Sequence, residues 1–335
     1  MTETLHHRSC ALIEALGLGQ NAEVSAVTPL AGGVASDIAR VDVGAKSYCV
    51  KFALPQLRVA AEWFAPEHRS RAEFAWLNIA GQVAPEAAPR LFGYSDDLKG
   101  FAMEYICGPE VHLWKTMLLA GVPEQGEAVR VADLLGRIHA VGSAAGFDRA
   151  AFNNSADFHS LRVEPYLLFT ARHHPALAAR LHDLAARLDA AAITLVHGDV
   201  SPKNILLRGG SPVLLDAECA SMGDPCFDVA FCMNHLILKS VHMPQRRAEL
   251  LAAVAAFWTA YAAQVTWETP SQIEARVAAL LPALMLARID GKSPVEYLSD
   301  LARAKVRALA IPLIATPVTG LEDLLERITL TGKAE

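Results

Sequence analysis

Two short polar stretches, separated by apolar residues and a turn, hold the side chains best suited to chemistry. The first is His197-Gly198-Asp199-Val200-Ser201-Pro202-Lys203-Asn204, which runs into Ile205-Leu206-Leu207. The second is Asp216-Ala217-Glu218, which follows the apolar run Val213-Leu214-Leu215 after a Gly209-Gly210-Ser211-Pro212 turn. Two apolar strands joined by a glycine-containing turn read as a hairpin. Groups just before its first strand and just after its second must then lie at the same end. One carboxylate (Asp199), one carboxamide (Asn204) and a second carboxylate (Asp216) converge there. Phosphoryl transfer needs such a set: a group that orients and deprotonates an attacking hydroxyl, and hard oxygen ligands for Mg²⁺.

These residues resemble the catalytic loop and metal-binding segment of kinase-like phosphotransferases, and more closely those of the aminoglycoside phosphotransferase and choline kinase superfamily. That group carries H-G-D-x-x-x-x-N followed by D-x-D or D-x-E, where protein kinases carry H-R-D and D-F-G. The matching positions are His197, Gly198, Asp199, Asn204, Asp216 and Glu218. The resemblance implies that Asp199 is the catalytic base and that Asn204, in the same catalytic loop, joins Asp216 in holding Mg²⁺. Glu218 would support the metal through water or face the substrate. His197 is expected to brace the loop, and Gly198 to let the backbone turn tightly. Ser201 stands where protein kinases use Lys, which points away from a protein substrate. Lys203 stays open between a phosphate contact and solvent. Downstream, Gly223-Asp224-Pro225-Cys226-Phe227-Asp228-Val229-Ala230 resembles the superfamily's G-D-P-x-x-D-x-A run, in which an aspartate anchors the catalytic loop. That role falls to Asp228, while Asp224 stays open between a turn cap and the pocket wall.

By the same resemblance the N-terminal region supplies the ATP contacts. Lys51 ends the apolar strand Ser47-Tyr48-Cys49-Val50, where the family places the lysine that grips the α- and β-phosphates. A buried ammonium needs a counter-ion, and Glu73 on the following helix is the first candidate, with Glu67 and Glu62 behind it. Leu30-Ala31-Gly32-Gly33-Val34-Ala35-Ser36 offers two glycines and no G-x-G-x-x-G. Backbone N–H groups around Gly33, together with Ser36, are expected over the phosphates. Phe101-Ala102-Met103-Glu104-Tyr105-Ile106 resembles the connector that binds adenine through its main chain, with Glu104 and Ile106 as the contacting residues. His139, on a helix resembling the family's first large-lobe helix, is expected to pack or cap rather than react.

The elements that must position these groups follow from pattern. Residues 5–18 have helical spacing and end at Gly17 and Gly19. Between Val24 and Phe52, alternating segments separated by glycine-containing turns read as an antiparallel meander. Helical spacing returns over 66–79, and strands follow around 90–94 and 100–105 with Ser95-Asp96-Asp97 as their turn. Beyond Gly108 helices dominate, over 126–141, 175–191, 246–264, 272–288 and 296–310, with one β-rich interruption over 194–215. That order predicts an α+β architecture of two lobes, and the resemblance implies that it is the two-lobed protein-kinase-like fold. A small antiparallel N-terminal lobe (1–107) would bind ATP, and a larger, mainly helical lobe (108–335) would carry the catalytic loop, metal site and acceptor pocket.

The whole chain narrows the function classes. Its 335 residues, 53% hydrophobic and 20% charged, suffice for one large or two unequal globular domains. A net charge of −6 with scattered basic residues gives no footprint for nucleic acid or an anionic membrane. The six cysteines lack paired C-x-x-C spacing and read as free thiols in a reducing compartment. No secretory segment and no run of 18 apolar residues is present, so the cytoplasm is the expected location. The partner is therefore a small hydroxylated acceptor, for a chain that is a monomer or a homodimer.

The acceptor is less legible. Residues 157–166 and 288–294 mix charge with turn formers, and could line a cleft or cap helices and pair with each other. Asn234 and His235 are further pocket candidates, and Trp258, Tyr261 and Trp267 read as a cation-binding box or as core. The last 100 residues hold no acidic concentration of the kind an aminoglycoside would require, and no clear choline signature, so a neutral polyol, sugar or amino alcohol fits at least as well. Two other classes compete with a small-molecule kinase. One is an atypical protein kinase, which Ser201 and the missing D-F-G and A-P-E segments oppose. The other is a nucleotide-binding regulatory protein without turnover, which the intact polar set opposes.

Overall fold

In the computed structural model, residues 2–30, 36–56, 58 and 66–331 are described. The N-terminal region is a five-stranded antiparallel sheet. Its strands are β1 (Val24–Pro29), β2 (Ser36–Val43), β3 (Lys46–Ala53), β4 (Leu91–Ser95) and β5 (Gly100–Glu104), in the order β1-β2-β3-β5-β4. The meander expected over 24–52 is β1 to β3, with Gly44 taking the left-handed conformation (φ 57°) in the tight turn between β2 and β3.

Side chains alternate across a sheet, so each strand serves two faces. Val41, Val43, Tyr48, Val50 and Phe52 pack against Leu12 and Ile13 of helix α1 (Thr2–Ala15). Cys49, Phe101 and Met103 turn the other way, toward Trp76 and Leu77 of α2 (Arg69–Val83). The same alternation sends Lys51 to the α2 face, where it is buried.

The remainder is largely helical. Two small sheets interrupt it: β6 (Val111–Leu113), β8 (Ile205–Arg208) and β9 (Ser211–Leu214) form one, and β7 (Thr194–Val196) pairs with β10 (Ser221–Gly223) in the other. The predicted helices appear as α4 (Glu127–Gly142), α7 (Ala178–Ala190), α9 (Arg247–Ala262), α10 (Pro270–Asp290) and α11 (Asp300–Ala315), after a short α3 (Trp114–Leu119). Between α4 and α7, α5 (Ser155–Phe158) and α6 (Phe169–His173) flank a ten-residue π-helical stretch, His159–Leu168, which contains Pro165.

Helical spacing did not mark out the short α3, α5 and α6, nor two longer helices, α8 (Cys226–His242) and α12 (Leu321–Thr331). Every residue of α8 from Cys226 to Val241 is buried. It is the central rod of the helical region, with α9 and α10 packed on it. Its polar residues Asp228, Asn234, His235 and Lys239 are buried with the rest, so from Cys226 to Val241 no side of it faces solvent. Among the described residues no helix is long and apolar enough to cross a membrane.

Candidate active site

The hairpin is β8–β9, in register Ile205↔Leu214, and the Leu215 N–H donates to the Asn204 carbonyl at 2.9 Å. Asn204 and Asp216 therefore flank the same end, as their spacing predicts. Asp216 is one of two non-glycine residues with positive φ among those described, at 69°. That left-handed backbone is costly for a side chain, and it sits where the second strand gives way to the polar segment.

The loop before β8 is fastened from behind. Asp228, in the first turn of α8, accepts from the backbone N–H of His197 at 2.6 Å and of Gly198 at 2.8 Å. Its Oδ2 also lies 3.2 Å from Nε2 of His139, whose Nδ1 is 2.8 Å from the Tyr261 hydroxyl. Asp228 is thus the backbone anchor, and His139 a buried bracing group. His197 accepts the Asp199 N–H at Nδ1 (3.1 Å), and Trp76 packs edge-on against its ring. Burial lowers the His197 pKa and keeps that acceptor nitrogen bare. Gly198 has φ 79°, and a Cβ there would stand 2.8 Å from that of Cys219, so the loop closes down on the following segment only with glycine.

Asp199 sits inside this frame with two cations. Arg162 Nη2 is 3.0 Å and Lys203 Nζ 3.1 Å from its Oδ2. Burial alone would raise the Asp199 pKa, but Lys203 and then Arg162 outweigh it and hold the carboxyl below its ordinary range. Lys203 keeps a side chain 45% exposed, so its charge reaches both the carboxylate and solvent. Arg162 also donates through Nε to the Gly198 carbonyl. It comes from the π-helical stretch, inside the polar cluster 157–166, where nothing in the sequence set it apart. Asn204 donates its amide to the Asp199 carbonyl at 3.1 Å, which leaves the carboxamide oxygen as an acceptor.

From the sheet side comes Lys51. Its Nζ lies 2.7 Å from Glu73 Oε2 on α2 and also pairs with Asp216 Oδ1. Burial would lower the Lys51 pKa, but Asp216, Glu73 and Glu218 together raise it, so the ammonium stays charged. For Asp216 burial acts upward and Lys51 downward, with the lysines and Arg162 prevailing, so its carboxyl stays ionised. Glu73 is the counter-ion that the sequence favoured over Glu67 and Glu62. Glu218 instead gives Oε2 to Nε of Arg69, at 2.9 Å. Arg69 is fully buried and also donates to the carbonyls of Pro66 and Leu54, tying α2, the end of β3 and the segment after β9 together. No motif pointed to Arg69.

Ser36 opens β2 as a buried side chain opposite Ala53. Gly33 and most of its loop, like Glu62, lie outside the described residues. In the connector, Glu104 is spoken for: its carboxylate pairs with Arg208 at 3.0 Å and accepts from the Arg90 N–H. Its own N–H donates to the Arg90 carbonyl, whereas the Ile106 N–H has no acceptor among the described residues.

Other candidates make contacts within the fold. Asp224 is a turn cap, accepting from the Cys226 N–H at 2.9 Å, and also pairs with Arg276. Trp258, Tyr261 and Trp267 pack together around His139 as core. The clusters 157–166 and 288–294 meet each other: Arg288 donates to the Tyr166 hydroxyl, and the Lys292 N–H to the Pro165 carbonyl.

The donor set suits a hard divalent cation. Among the described residues no group of three His, Cys, Asp or Glu side chains forms a closed metal cage. Asp216, 30% exposed, and the Asn204 oxygen instead make an open oxygen pair. Mg²⁺ is held in that manner, by one or two protein oxygens with water and phosphate completing the octahedron.

The chain belongs to the phosphotransferase enzyme family, whose model matches residues 26–268. Among curated proteins it resembles methylthioribose kinase of Escherichia coli O45:K1 (strain S88 / ExPEC), with 26% identity over 272 residues covering 69% of this chain and 64% of that protein. It also resembles methylthioribose kinase of Klebsiella pneumoniae (strain 342), with 24% identity covering 65% and 63% of the two chains. The chain thus spans less than two thirds of the length of these relatives. Of solved structures, amicoumacin kinase hAmiN in complex with AMP-PNP, Ca²⁺ and Ami superposes with a TM-score of 0.57 at 13% identity, over 96% of this chain and 98% of that one. A choline/ethanolamine kinase family protein from Mesorhizobium loti gives 0.52 at 15%, over 99% and 100%. At such identities the likeness is one of fold, and the fold is the α+β one expected from the order of elements and the kinase-like one implied by the motifs.

Proposed function

We propose that this protein is a kinase that transfers the γ-phosphoryl group of ATP to a hydroxyl of a small molecule. The observation that carries this reading is the convergence of Asp199, Asn204 and Asp216 at one end of the hairpin, with Lys51 reaching Asp216 from the sheet. We assign ATP binding to the β-rich lobe, residues 1–107, and the acceptor and catalytic loop to residues 108–335. Lys51, kept in place by Glu73, would take the α- and β-phosphates. The backbone near Gly33 and Ser36 would cover them, and Glu104 and Ile106 would meet adenine by main chain.

Asn204 and Asp216 would hold Mg²⁺, with Glu218 behind them through water and Arg69. The ion supplies charge neutralisation on the phosphate oxygens. Asp199, ionised beside Arg162 and Lys203, orients the acceptor hydroxyl and takes its proton as that oxygen bonds to the γ-phosphorus. The bond from the γ-phosphorus to the bridging oxygen breaks, and ADP leaves with the electron pair. Most of the acceleration would come from positioning and charge, as in phosphoryl transfer generally.

The test is incubation with Mg²⁺-ATP and a pool of hydroxylated metabolites, followed by mass spectrometry for species gaining one phosphoryl group. A product made by the wild type and lost in Asp199→Asn is expected. Retained transfer in Asp199→Asn refutes the assignment of the base. Tight Mg²⁺-ATP binding with no product from any pool would move the protein to the nucleotide-sensing class.

A further inference from the structure

Beside the catalytic loop, the helical region buries cationic groups with little acid to match them. Lys239 on α8 is 1% exposed. Its Nζ reaches only the His235 carbonyl, at 3.5 Å, and the face of Tyr297, 5.0 Å from the ring centre. Arg288 on α10 is also buried. It donates through Nη1 to Tyr166 (3.2 Å) and to Ser293 Oγ (3.1 Å) and O, while its Nε meets no acceptor. His235 Nε2, Tyr297 Oη and both polar atoms of the Asn234 side chain likewise have no protein partner. Among the described residues one carboxylate, Glu296, faces this group, and it is 66% exposed and paired with Lys115. Three cations thus stand against one acid, two of them in the interior. An ammonium buried without a counter-charge costs several kcal/mol, which makes the group a poor device for stability.

Its position gives it a use. Phe231, His235 and Lys239 recur every four residues along one side of α8. Phe231 packs against Tyr166, one turn beyond the Arg162 that grips Asp199. Lys115 rides on α3, which packs on the turn Pro202–Asn204 of the catalytic loop. The charge of Lys203, whose Nζ lies 3.1 Å from Asp199, is felt at His235. The basic group is therefore linked to the catalytic loop through Tyr166, α3 and Lys203.

We propose that this group recognises the acceptor, and that the acceptor is a small hydroxy acid, its carboxylate met by Arg288 and Lys239 while its hydroxyl is presented to Asp199. Arg288 offers an unused guanidinium edge of the kind that matches a carboxylate. Lys239, the Tyr297 hydroxyl and His235 Nε2 supply further polar atoms around it. A cationic acceptor such as an amino alcohol would meet like charge here, and a neutral polyol would leave the buried cations unmatched. The inference rests on the kinase reading above for the hydroxyl, and on the basic group alone for the acid.

The experiment uses matched pairs at constant ionic strength: glycerate against glycerol, gluconate against sorbitol, with choline as a cation. Thermal melting reads binding, and mass spectrometry with Mg²⁺-ATP reads transfer. A rise in Tm with at least one acid, absent with its neutral partner, is expected, together with a phosphorylated acid. Arg288→Gln and Lys239→Met should each raise KM for that acid at least tenfold, with a smaller effect on KM for ATP, and Arg288→Lys should recover part of the loss. Product from the neutral or cationic members at equal or better rate overturns the acid while leaving the kinase intact. A Tm shift that survives in Arg288→Gln and Lys239→Met, or no shift and no product with any acid, also overturns it. Acid binding lost in both variants but with no product from any acceptor keeps the acid site and refutes the kinase reading instead.

Discussion

Replacing Lys239 with Met should stabilise the protein, by an amount that depends on pH. Lys239 has no carboxylate partner among the described residues, and burial, joined by Lys115 and Arg288, lowers its pKa from 10.5 to about 7. Above pH 10.5 the amine is neutral in both the folded and unfolded chains, and its ionisation costs the fold nothing. As pH falls from 10.5 toward 7, only the unfolded chain takes up the proton, so stability drops by about 1.4 kcal/mol per pH unit. The accumulated penalty is about 2 kcal/mol at pH 9 and about 4 kcal/mol at pH 7, and it levels off below that. Methionine fills a similar volume with no charge to desolvate. Urea denaturation of the two proteins at pH 7 and pH 9, with reductant present and ionic strength fixed, measures the difference directly. The variant should gain roughly 4 kcal/mol at the lower pH and about half of that at the higher. An equal gain at both pH values, or a loss at both, would refute the claim that burial holds this amine near neutrality.

Two further outcomes follow from the loop's anchors. Asp228→Ala strands the N–H groups of His197 and Gly198 and one nitrogen of His139 in the interior, and should cost about 3–5 kcal/mol, seen as a large fall in Tm. Gly198→Ala must adopt φ near 79° with its methyl 2.8 Å from the Cys219 Cβ. It should lose about 1–3 kcal/mol and most transfer activity, whereas Gly146→Ala, whose Cβ meets nothing, should pay only for its backbone.

What could be read in the sequence was what repeats a spacing. The hairpin put Asn204 and Asp216 at one end because two apolar strands and a turn leave little choice, and strand alternation sends Lys51 to the face that holds Glu73. Main-chain architecture was legible for the same reason, since the meander and the amphipathic helices carry periods of two and 3.6. Arg162 and Arg69 were not legible individually, because each acts across the fold on a partner distant in sequence, although Glu73 and the cluster 157–166 had marked their helices. The helix α8 turns its polar residues inward, so its polar positions do not mark a solvent face as they do on a surface helix. Lys239 in its last turn reads in sequence like any solvated lysine near a helix end. The basic group was hidden likewise, for Lys115, Lys239 and Arg288 lie on three helices and are brought together only by tertiary packing.

The single carboxylate of Asp228 has a mechanical consequence. It fastens two consecutive loop amides to the first turn of α8 and to a histidine of α4, so the loop's shape is inherited from the rigid interior and exists before any ligand arrives. The entropy of ordering the reacting groups is then spent once, during folding, rather than in every catalytic cycle. On the kinase reading, motion would be left to the sheet side, where Lys51 would exchange Asp216 for phosphate while Asp199 stays still.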